Sequence, residues 1–204
     1  MKKLLWILPL MALAGCAGLR VFGGNDCVRL ELPGAADVSA VATLERIEGG
    51  LQVTVEVKDF CVTVDPQKEL WSSDCVEFYA DLRPYRERML FNQYAPGVFQ
   101  ITVRPPANGV PAAWSFRSTG LPVPEGFTAT AVPTPDGYTV QLFFPEKSMR
   151  EIHGPIRDTF YMDVAVNNVN ADGSHTKIFW KGNGDDWQCP RNFAPVTLPA
   201  PGGK

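Results

Sequence analysis

The sequence is poor in the features that define several protein classes. It has only two histidines, and charged residues make up 20% of its 204 residues. Its formal net charge of −3 has the wrong sign for the electrostatic attraction on which sequence-independent nucleic-acid binding depends. Its five cysteines include no Cys-x-x-Cys pair, which is the common spacing of thiolate zinc ligands. We therefore expect neither a nucleic-acid partner nor a thiolate zinc centre.

Glycine, proline and aromatic residues are abundant instead. The chain has 18 glycines, 18 prolines, 12 phenylalanines, 5 tyrosines and 5 tryptophans. This bias favours short strands and tight turns over long helices. The length and a hydrophobic fraction of 45% are typical of one globular domain.

The N-terminus has the order of an export signal. Met1 and two lysines precede an apolar run from Leu4 to Leu13, and small residues follow. The run is shorter than the roughly 20 residues that span a bilayer as a helix. The tetrad Leu13-Ala14-Gly15-Cys16 resembles a bacterial lipobox, which implies diacylglyceryl transfer to the Cys16 thiol and cleavage before it. An amide-linked acyl chain such as palmitate would complete a stable membrane anchor.

The lipobox resemblance sets the boundaries of the segments that we expect along the chain. Residues 1–15 are the predicted signal peptide, 16–26 the lipidated N-terminus and spacer, 27–198 the domain, and 199–204 a C-terminal tail. Ala17, by resemblance to the enterobacterial sorting rule, favours the outer membrane, on its periplasmic or its outer side. We expect a monomeric lipoprotein.

Four cysteines remain once Cys16 carries lipid. An even number of cysteines in an exported chain indicates disulfide bonds, for which three connectivities exist. We expect Cys61 to pair with Cys75, and Cys27 with Cys189, because the first two bracket one loop and the others lie near the ends of the domain.

Short runs of alternating apolar and polar residues predict strands, each with one buried face. These runs are residues 51–58, 76–82, 100–104, 137–144 and 160–167, the last paired with 177–180 as a hairpin. One helix is expected at residues 146–152, after Pro145 and before Gly154. Sheets that bury one face without helices to cover them pack on each other. The expected fold is an all-β, jelly-roll-like antiparallel β-sandwich with at most one or two short helices.

Three stretches resemble the family 9 carbohydrate-binding modules and their relatives in the DOMON-like β-sandwich superfamily. They are residues 55–59 with 71–81, then 136–145 with Gln141 where the family usually has Glu, and finally 162–193. The resemblance extends from Val53 to Leu198, although the N-terminal portion before Gly50 is shorter than in the family.

The resemblance implies non-catalytic binding of a glycan in a slot between two tryptophans. A pyranose ring stacks its apolar C–H faces on an aromatic ring, while its hydroxyls need polar partners. Trp71 is the first expected aromatic, and Trp180 is favoured over Trp187 as the second. The candidate polar residues are Asp74, Glu77, Asp81, Arg83, Asn92 and Gln93. Trp114, next to the strand-like run Ser115–Arg117, is assigned to core or edge packing.

Glu77 and Asp81 do not suit a glycosidase. Four residues apart on one strand, they would lie about 13 Å from each other, beyond the roughly 5 to 9.5 Å that the two glycosidase geometries require. We therefore expect a binding protein and not an enzyme.

The loop with Asn168, Asn170 and Asp172 copies the first half of a calcium-binding pattern. Phe179 stands where the closing Glu should be, so we expect a hairpin turn and no cofactor, with Ca²⁺ as the alternative.

Two other functions stay open. The superfamily includes b-haem cytochrome domains, and here His153 and His175 with Met89, Met149 and Met162 are the candidate haem ligands. A structural or assembly lipoprotein would use the sandwich as a protein-interaction surface.

Overall fold

A computed structural model describes residues 27–35, 37–170 and 172–199. The predicted signal peptide, Cys16 and the spacer to residue 26 lie outside the described residues, as does the tail from residue 200 onward. Within the described ranges, no helix is long and apolar enough to cross a membrane.

Eleven strands and two short helices make up the described chain. They are β1 (Cys27–Leu32), β2 (Val38–Ile47), β3 (Gly50–Asp59), β4 (Cys75–Asp81), α1 (Tyr85–Leu90), β5 (Val98–Arg104), β6 (Ala113–Ser118), β7 (Thr128–Thr134), β8 (Gly137–Pro145), α2 (Glu146–Ile152), β9 (Thr159–Val169), β10 (His175–Phe179) and β11 (Ala194–Thr197). Two short 3₁₀ turns, Leu70–Ser72 and Pro190–Asn192, precede β4 and β11.

The strands form two antiparallel sheets. Sheet I has the order β1-β2-β3-β8-β7, and sheet II has the order β10-β9-β4-β5-β6, with β11 also paired to β9. Alternation along each strand sends one set of side chains into a shared core, where Phe78 of sheet II lies 5.3 Å from Phe144 of sheet I, centroid to centroid. The predicted β-sandwich is confirmed.

The predicted elements have clear counterparts. α2 spans the residues expected for the helix, and each expected strand lies within or within one residue of an observed strand. In the predicted hairpin, Lys177 of β10 is paired with Asn167 of β9. The helix α1 and the strands β1, β2, β7 and β11 were not predicted.

The predicted disulfide bonds are wrong, because all four cysteines within the described residues are free. Cys61 is exposed, whereas Cys75 is wholly buried in β4, where its Sγ lies 3.2 Å from Asn167 Nδ2. Cys27 belongs to sheet I, whereas Cys189 lies in a loop over sheet II, next to Asn92. Bracketing one loop therefore did not bring Cys61 to Cys75. A position near the ends of the domain did not bring Cys27 to Cys189.

Candidate functional site

A hydrogen-bonded row of polar side chains crosses the outer face of sheet II, the face turned away from the core. This polar row consists of Lys177 (β10), Glu77 (β4), Gln100 (β5) and Arg117 (β6). Lys177 Nζ pairs with Glu77 Oε2, and Gln100 Nε2 donates to Glu77 Oε1 at 3.2 Å. Arg117 Nη1 donates to Gln100 Oε1 at 3.2 Å. The row therefore joins four strands.

The strand pattern explains how the polar row forms. Phe78 and Ile101 face the core, so their neighbours Glu77 and Gln100 face outward. β9 lies between β10 and β4, and its residue paired with Glu77 is Ala165. A small side chain there leaves room for the long side chain from β10 to reach over β9.

Glu77 is held from a third side by Tyr79, whose hydroxyl donates to Glu77 Oε2 at 2.8 Å. Burial, followed by the charge of Glu77, raises the pKa of Tyr79 above its ordinary value. The Tyr79 hydroxyl therefore stays protonated and keeps donating its hydrogen bond to Glu77. Glu77 itself is only 2% exposed, so it forms part of the floor of the face.

Trp187 borders the polar row at its Arg117 end. The indole is 47% exposed, and its backbone carbonyl accepts a hydrogen bond from Arg117 Nη1 at 2.8 Å. The guanidinium carbon lies 5.7 Å from the centroid of the Trp187 ring and 4.9 Å from that of Tyr94. Trp187 is thus an exposed ring on a backbone fixed to the polar row.

Two buried carboxyl groups fix the loop that carries Trp187. Asp163 Oδ1 accepts from the Lys181 amide at 2.8 Å, and Asp186 Oδ1 accepts from the Asn183 amide at 3.1 Å. Burial, followed by a side-chain hydrogen bond to Asp186, raises the pKa of Asp163 to about 8. Asp163 therefore holds a proton at neutral pH. A Cβ at Gly182 would lie 2.0 Å from an Asp186 oxygen, so this close approach requires glycine.

Trp71 lies in the 3₁₀ turn that precedes β4. Its indole is 60% exposed, and the turn packs against β4, β5, β6 and β9 of sheet II. Arg104, at the end of β5, donates to the Asp65 carbonyl at 3.2 Å and so fixes the preceding loop to the sheet. Trp71 and Trp187 are therefore two exposed indoles carried by loops that are attached to the same sheet.

Asp81 and Arg83 were predicted to contact a ligand, but they bind each other instead. Arg83 Nε lies 2.9 Å from Asp81 Oδ1, and Arg83 Nη2 lies 2.7 Å from Oδ2. Both side chains are buried. A bidentate buried pair leaves the carboxylate no free edge, so these two residues hold the fold together.

Asp74 was also predicted in the site, but it faces the interior. It is fully buried and accepts hydrogen bonds from the backbone amides of Thr63 and Val169, the latter at 2.5 Å. Burial raises the pKa of Asp74 to about 7. Its role in this structure is to tie the loop before β4 to the end of β9.

Asn92 and Gln93 follow α1, beyond the end of β4, whereas Trp71 precedes its start. Since β4 has seven residues, these ends are about 20 Å apart. Asn92 Oδ1 accepts from the Arg191 amide at 3.1 Å, and the Gln93 carbonyl accepts from Arg83 at 3.2 Å. The structure therefore does not bring these two residues to Trp71.

The structure favours Trp187 over Trp180 as the second aromatic residue, contrary to the sequence-based preference. Trp180 continues β10 on the same side as Ile178, and it packs against the core between the sheets. Trp187 is the exposed indole of the two. Because Trp180 packs inward, its ring is not available as the second wall of a slot.

Sequence reasoning missed Gln100, Arg117, Lys177 and Tyr94. The alternation of residues 100–104 already placed Gln100 on the outward face, so that signal was present. Arg117 and Lys177 join the site only through the order of strands in sheet II, which the sequence pattern does not give.

The loop with Asn168, Asn170 and Asp172 forms a turn between β9 and β10. Asn168 Nδ2 donates to Asn170 Oδ1 at 2.6 Å, and Asp172 Oδ1 accepts from the Ser174 amide at 2.9 Å. Asn168 Nδ2, Asn170 Oδ1 and Asp172 Oδ1 are thus used within the turn. Across the described residues, no group of three or more His, Cys, Asp or Glu side chains is arranged to hold a metal ion.

His153 and Met149, two of the candidate haem ligands, do not line a space that would hold haem. His153 is buried, and its ring lies 5.3 Å from the Phe99 ring and 5.4 Å from Phe116. The cavity beside Met149 has a volume of about 10 Å³, which is the space of one water molecule.

The fold has a counterpart among solved structures. The chain is similar to a carbohydrate binding module of family 9 from Caldicellulosiruptor kristjanssonii, solved in complex with cellotriose, with a TM-score of 0.68 and 17% sequence identity. The similarity covers 88% of this chain and 86% of that chain. No protein-family model and no curated protein matches the sequence. At this identity the likeness concerns the fold alone, and the chain has a β-sandwich fold like that of a family 9 carbohydrate-binding module.

Proposed function

We propose that this chain is a non-catalytic carbohydrate-binding protein. Its glycan site is the outer face of sheet II, bordered by Trp71 and Trp187. The observation that carries the proposal is that the exposed indole of Trp187 borders a row of hydrogen-bonded polar side chains. A second exposed indole, Trp71, lies in a turn packed on the same sheet. The similar solved structure, a family 9 module in complex with cellotriose, supports the same ligand class.

The chemistry of the face suits a sugar ring. An indole presents a flat apolar surface to the C–H groups of a pyranose, and exposed tryptophans contribute this surface at little cost in conformational entropy. The polar row supplies both donors and acceptors for hydroxyl groups. Arg117 and Lys177 donate, Glu77 accepts, and Gln100 can do both.

Binding without hydrolysis is the expected outcome. Glu77 is the one carboxylate of the polar row, and Asp81 is engaged by Arg83. A glycosidase of either geometry needs two carboxyl groups about 5 to 9.5 Å apart on either side of the scissile bond. We propose that binding also needs no metal ion and persists after chelation with EDTA.

We further propose that the domain is held at a membrane through lipidated Cys16, as a monomer, with the outer membrane as its location. The support is the order of basic, apolar and small residues before Cys16. Mass spectrometry of the protein from membranes should find a mature N-terminus at Cys16 that carries acyl chains. A soluble product cleaved elsewhere would contradict the anchor and leave the glycan site unaffected.

The glycan site is tested with the full chain on a glycan array, followed by calorimetric titration of the best ligand. Trp71→Ala and Trp187→Ala should each weaken binding at least tenfold while the unfolding temperature stays close to that of the wild type. Trp114→Ala is the matched control, because Trp114 is also partly exposed but its ring lies 5.4 Å from Phe127, on the inner side of β6. Equal losses in all three variants would contradict the proposed site.

An assembly lipoprotein is the second candidate function. The observation that favours it is a set of exposed apolar side chains on and after α1: Tyr85, Met89, Leu90 and Phe91. Apolar surface of this kind marks protein or membrane contacts. In that case, Leu90→Ser would abolish association with a partner captured by crosslinking in intact cells, and no array glycan would bind.

A further inference from the structure

Arg117 is fixed in place before any ligand binds. Its Nη1 atom donates both hydrogens, one to Gln100 Oε1 and one to the Trp187 carbonyl. Its guanidinium also lies near the rings of Tyr94 and Trp187. An arginine restrained in this way loses less rotamer freedom on binding than a mobile surface side chain would lose.

One edge of this guanidinium has no protein partner. Both hydrogen bonds use Nη1, and no acceptor within the described residues engages Nε or Nη2. Nε and Nη2 present two parallel N–H groups, which is the fork that matches the two oxygens of a carboxylate. Arg117 is exposed, so this edge is accessible from solvent.

The charge along the polar row is not balanced. Lys177 is neutralised by Glu77, and Gln100 is neutral. Within the described part of the chain, no carboxylate lies within 4.0 Å of the Arg117 nitrogens. The nearest exposed acid along the Trp187 loop, Asp185, accepts a hydrogen bond from Gln188 at 3.3 Å. The polar row therefore carries an uncompensated positive charge although the chain as a whole is negative.

We propose that Arg117 binds a carboxylate of the ligand and that the site takes a glycan containing uronic acid. The inference rests on the proposed glycan site and narrows its ligand class from sugars in general to acidic sugars. A carboxylate on the unused edge would complete the hydrogen bonds of the guanidinium and balance the charge of the row. Sugar hydroxyl groups would complete the hydrogen bonds of the guanidinium but would leave the charge of the row unbalanced.

The test uses two matched pairs of trisaccharides. The first pair is cellotriose and cellotriose oxidised at C6 to uronic acid; the second is trigalacturonic acid and its carboxyl-reduced form. Calorimetric titration of the full chain in detergent should show about tenfold tighter binding of the acidic member of at least one pair. The preference should decrease steeply between 50 and 500 mM NaCl.

Variants of Arg117 locate the preference. Arg117→Gln should weaken binding of the acidic member about tenfold more than binding of the neutral member, and so remove most of the preference. Arg117→Lys should retain part of the preference for the acidic member, because lysine keeps the positive charge but lacks the two parallel N–H groups of the guanidinium. Arg29→Gln is the matched control, since Arg29 is exposed on sheet I and the same charge is removed away from the site. It should leave the preference unchanged.

The results separate this inference from the proposed function. Two results would overturn the uronic acid assignment alone. One is that the wild type binds the neutral glycans as tightly as the acidic ones, or more tightly. The other is that Arg117→Gln loses the same factor of affinity for both members of a pair. A salt-independent preference in the wild type overturns it without any variant. A chain that binds no glycan, acidic or neutral, overturns both.

Discussion

The guanidinium carbon of Arg88 lies 3.8 Å from the centroid of the Tyr161 ring, so a cation from α1 is packed on an aromatic ring of β9. Arg88 is buried, and its Nη2 donates to the carbonyls of Pro190, Arg191 and Phe193 at 3.0, 3.0 and 2.8 Å. One side chain thus joins the unpredicted helix to the segment that follows Trp187. Removing it should affect both the fold and the glycan site.

Arg88→Ala should destabilise the protein by about 2–4 kcal/mol, because three backbone carbonyls, two of them buried, lose their donor. Urea denaturation followed by intrinsic fluorescence measures this change. The glycan affinity should also fall, since the loop that carries Trp187 loses an attachment. Arg86→Ala is the control on the exposed side of the same helix and should change stability by less than about 0.5 kcal/mol. Equal effects of the two variants would contradict the role given to Arg88.

Trp180→Ala tests the reversal between the two tryptophans. Trp180 packs on the core, so its truncation should leave a cavity and cost about 2–3 kcal/mol, somewhat less than a fully buried aromatic. Glycan affinity should stay within threefold of the wild type. Trp187→Ala should show the opposite pattern, with stability kept and affinity lost. A Trp180→Ala variant that folds with unchanged stability and loses its ligand would return Trp180 to the site.

The sequence predicts the strands well, because alternation is a local property. It places Glu77 and Gln100 on one face and their neighbours in the core, as observed. The polar row also needs β6 and β10, which reach it only through the order of strands in sheet II. That order depends on pairings between residues far apart in sequence, which no local pattern records.

The incorrect site predictions have a common physical reason. Asp81 and Arg83 are close in sequence to Trp71 and polar, but they satisfy each other in the interior. Asp74 is likewise satisfied by backbone amides. A polar residue near an expected ligand signals binding only if its partners do not come from the chain, and that condition is visible only in three dimensions.

The free cysteines predict a simple pattern of thiol reactivity. Cys61 is exposed and should react within minutes with a maleimide in the native protein. Burial raises the pKa of the Cys75 thiol, and its side chain is fully covered, so Cys75 should react only after unfolding. Mass spectrometry of peptides from labelled protein measures both sites. Mass shifts on reduction, or early labelling of Cys75, would contradict the described arrangement.

Stability should depend on pH through Asp163. Burial raises the pKa of this carboxyl group to about 8 in the folded protein, whereas it is about 3.9 in an unfolded chain. Between these values the folded state holds a proton that the unfolded state releases. The contribution of Asp163 is therefore largest below about pH 4 and is lost as pH rises to about 8, by up to about 1.4 kcal/mol per pH unit.

The difference between wild type and Asp163→Asn isolates this effect. Other groups also titrate in this range: burial raises the pKa of Asp74 to about 7 and lowers that of His153. Both contributions are the same in the two proteins and cancel in the difference. An asparagine can still accept from the Lys181 amide but does not titrate, so the variant should gain stability relative to the wild type as pH rises from 5 to 8 in urea denaturation series. If the difference stays constant across this range, Asp163 does not hold a proton in the folded protein at neutral pH.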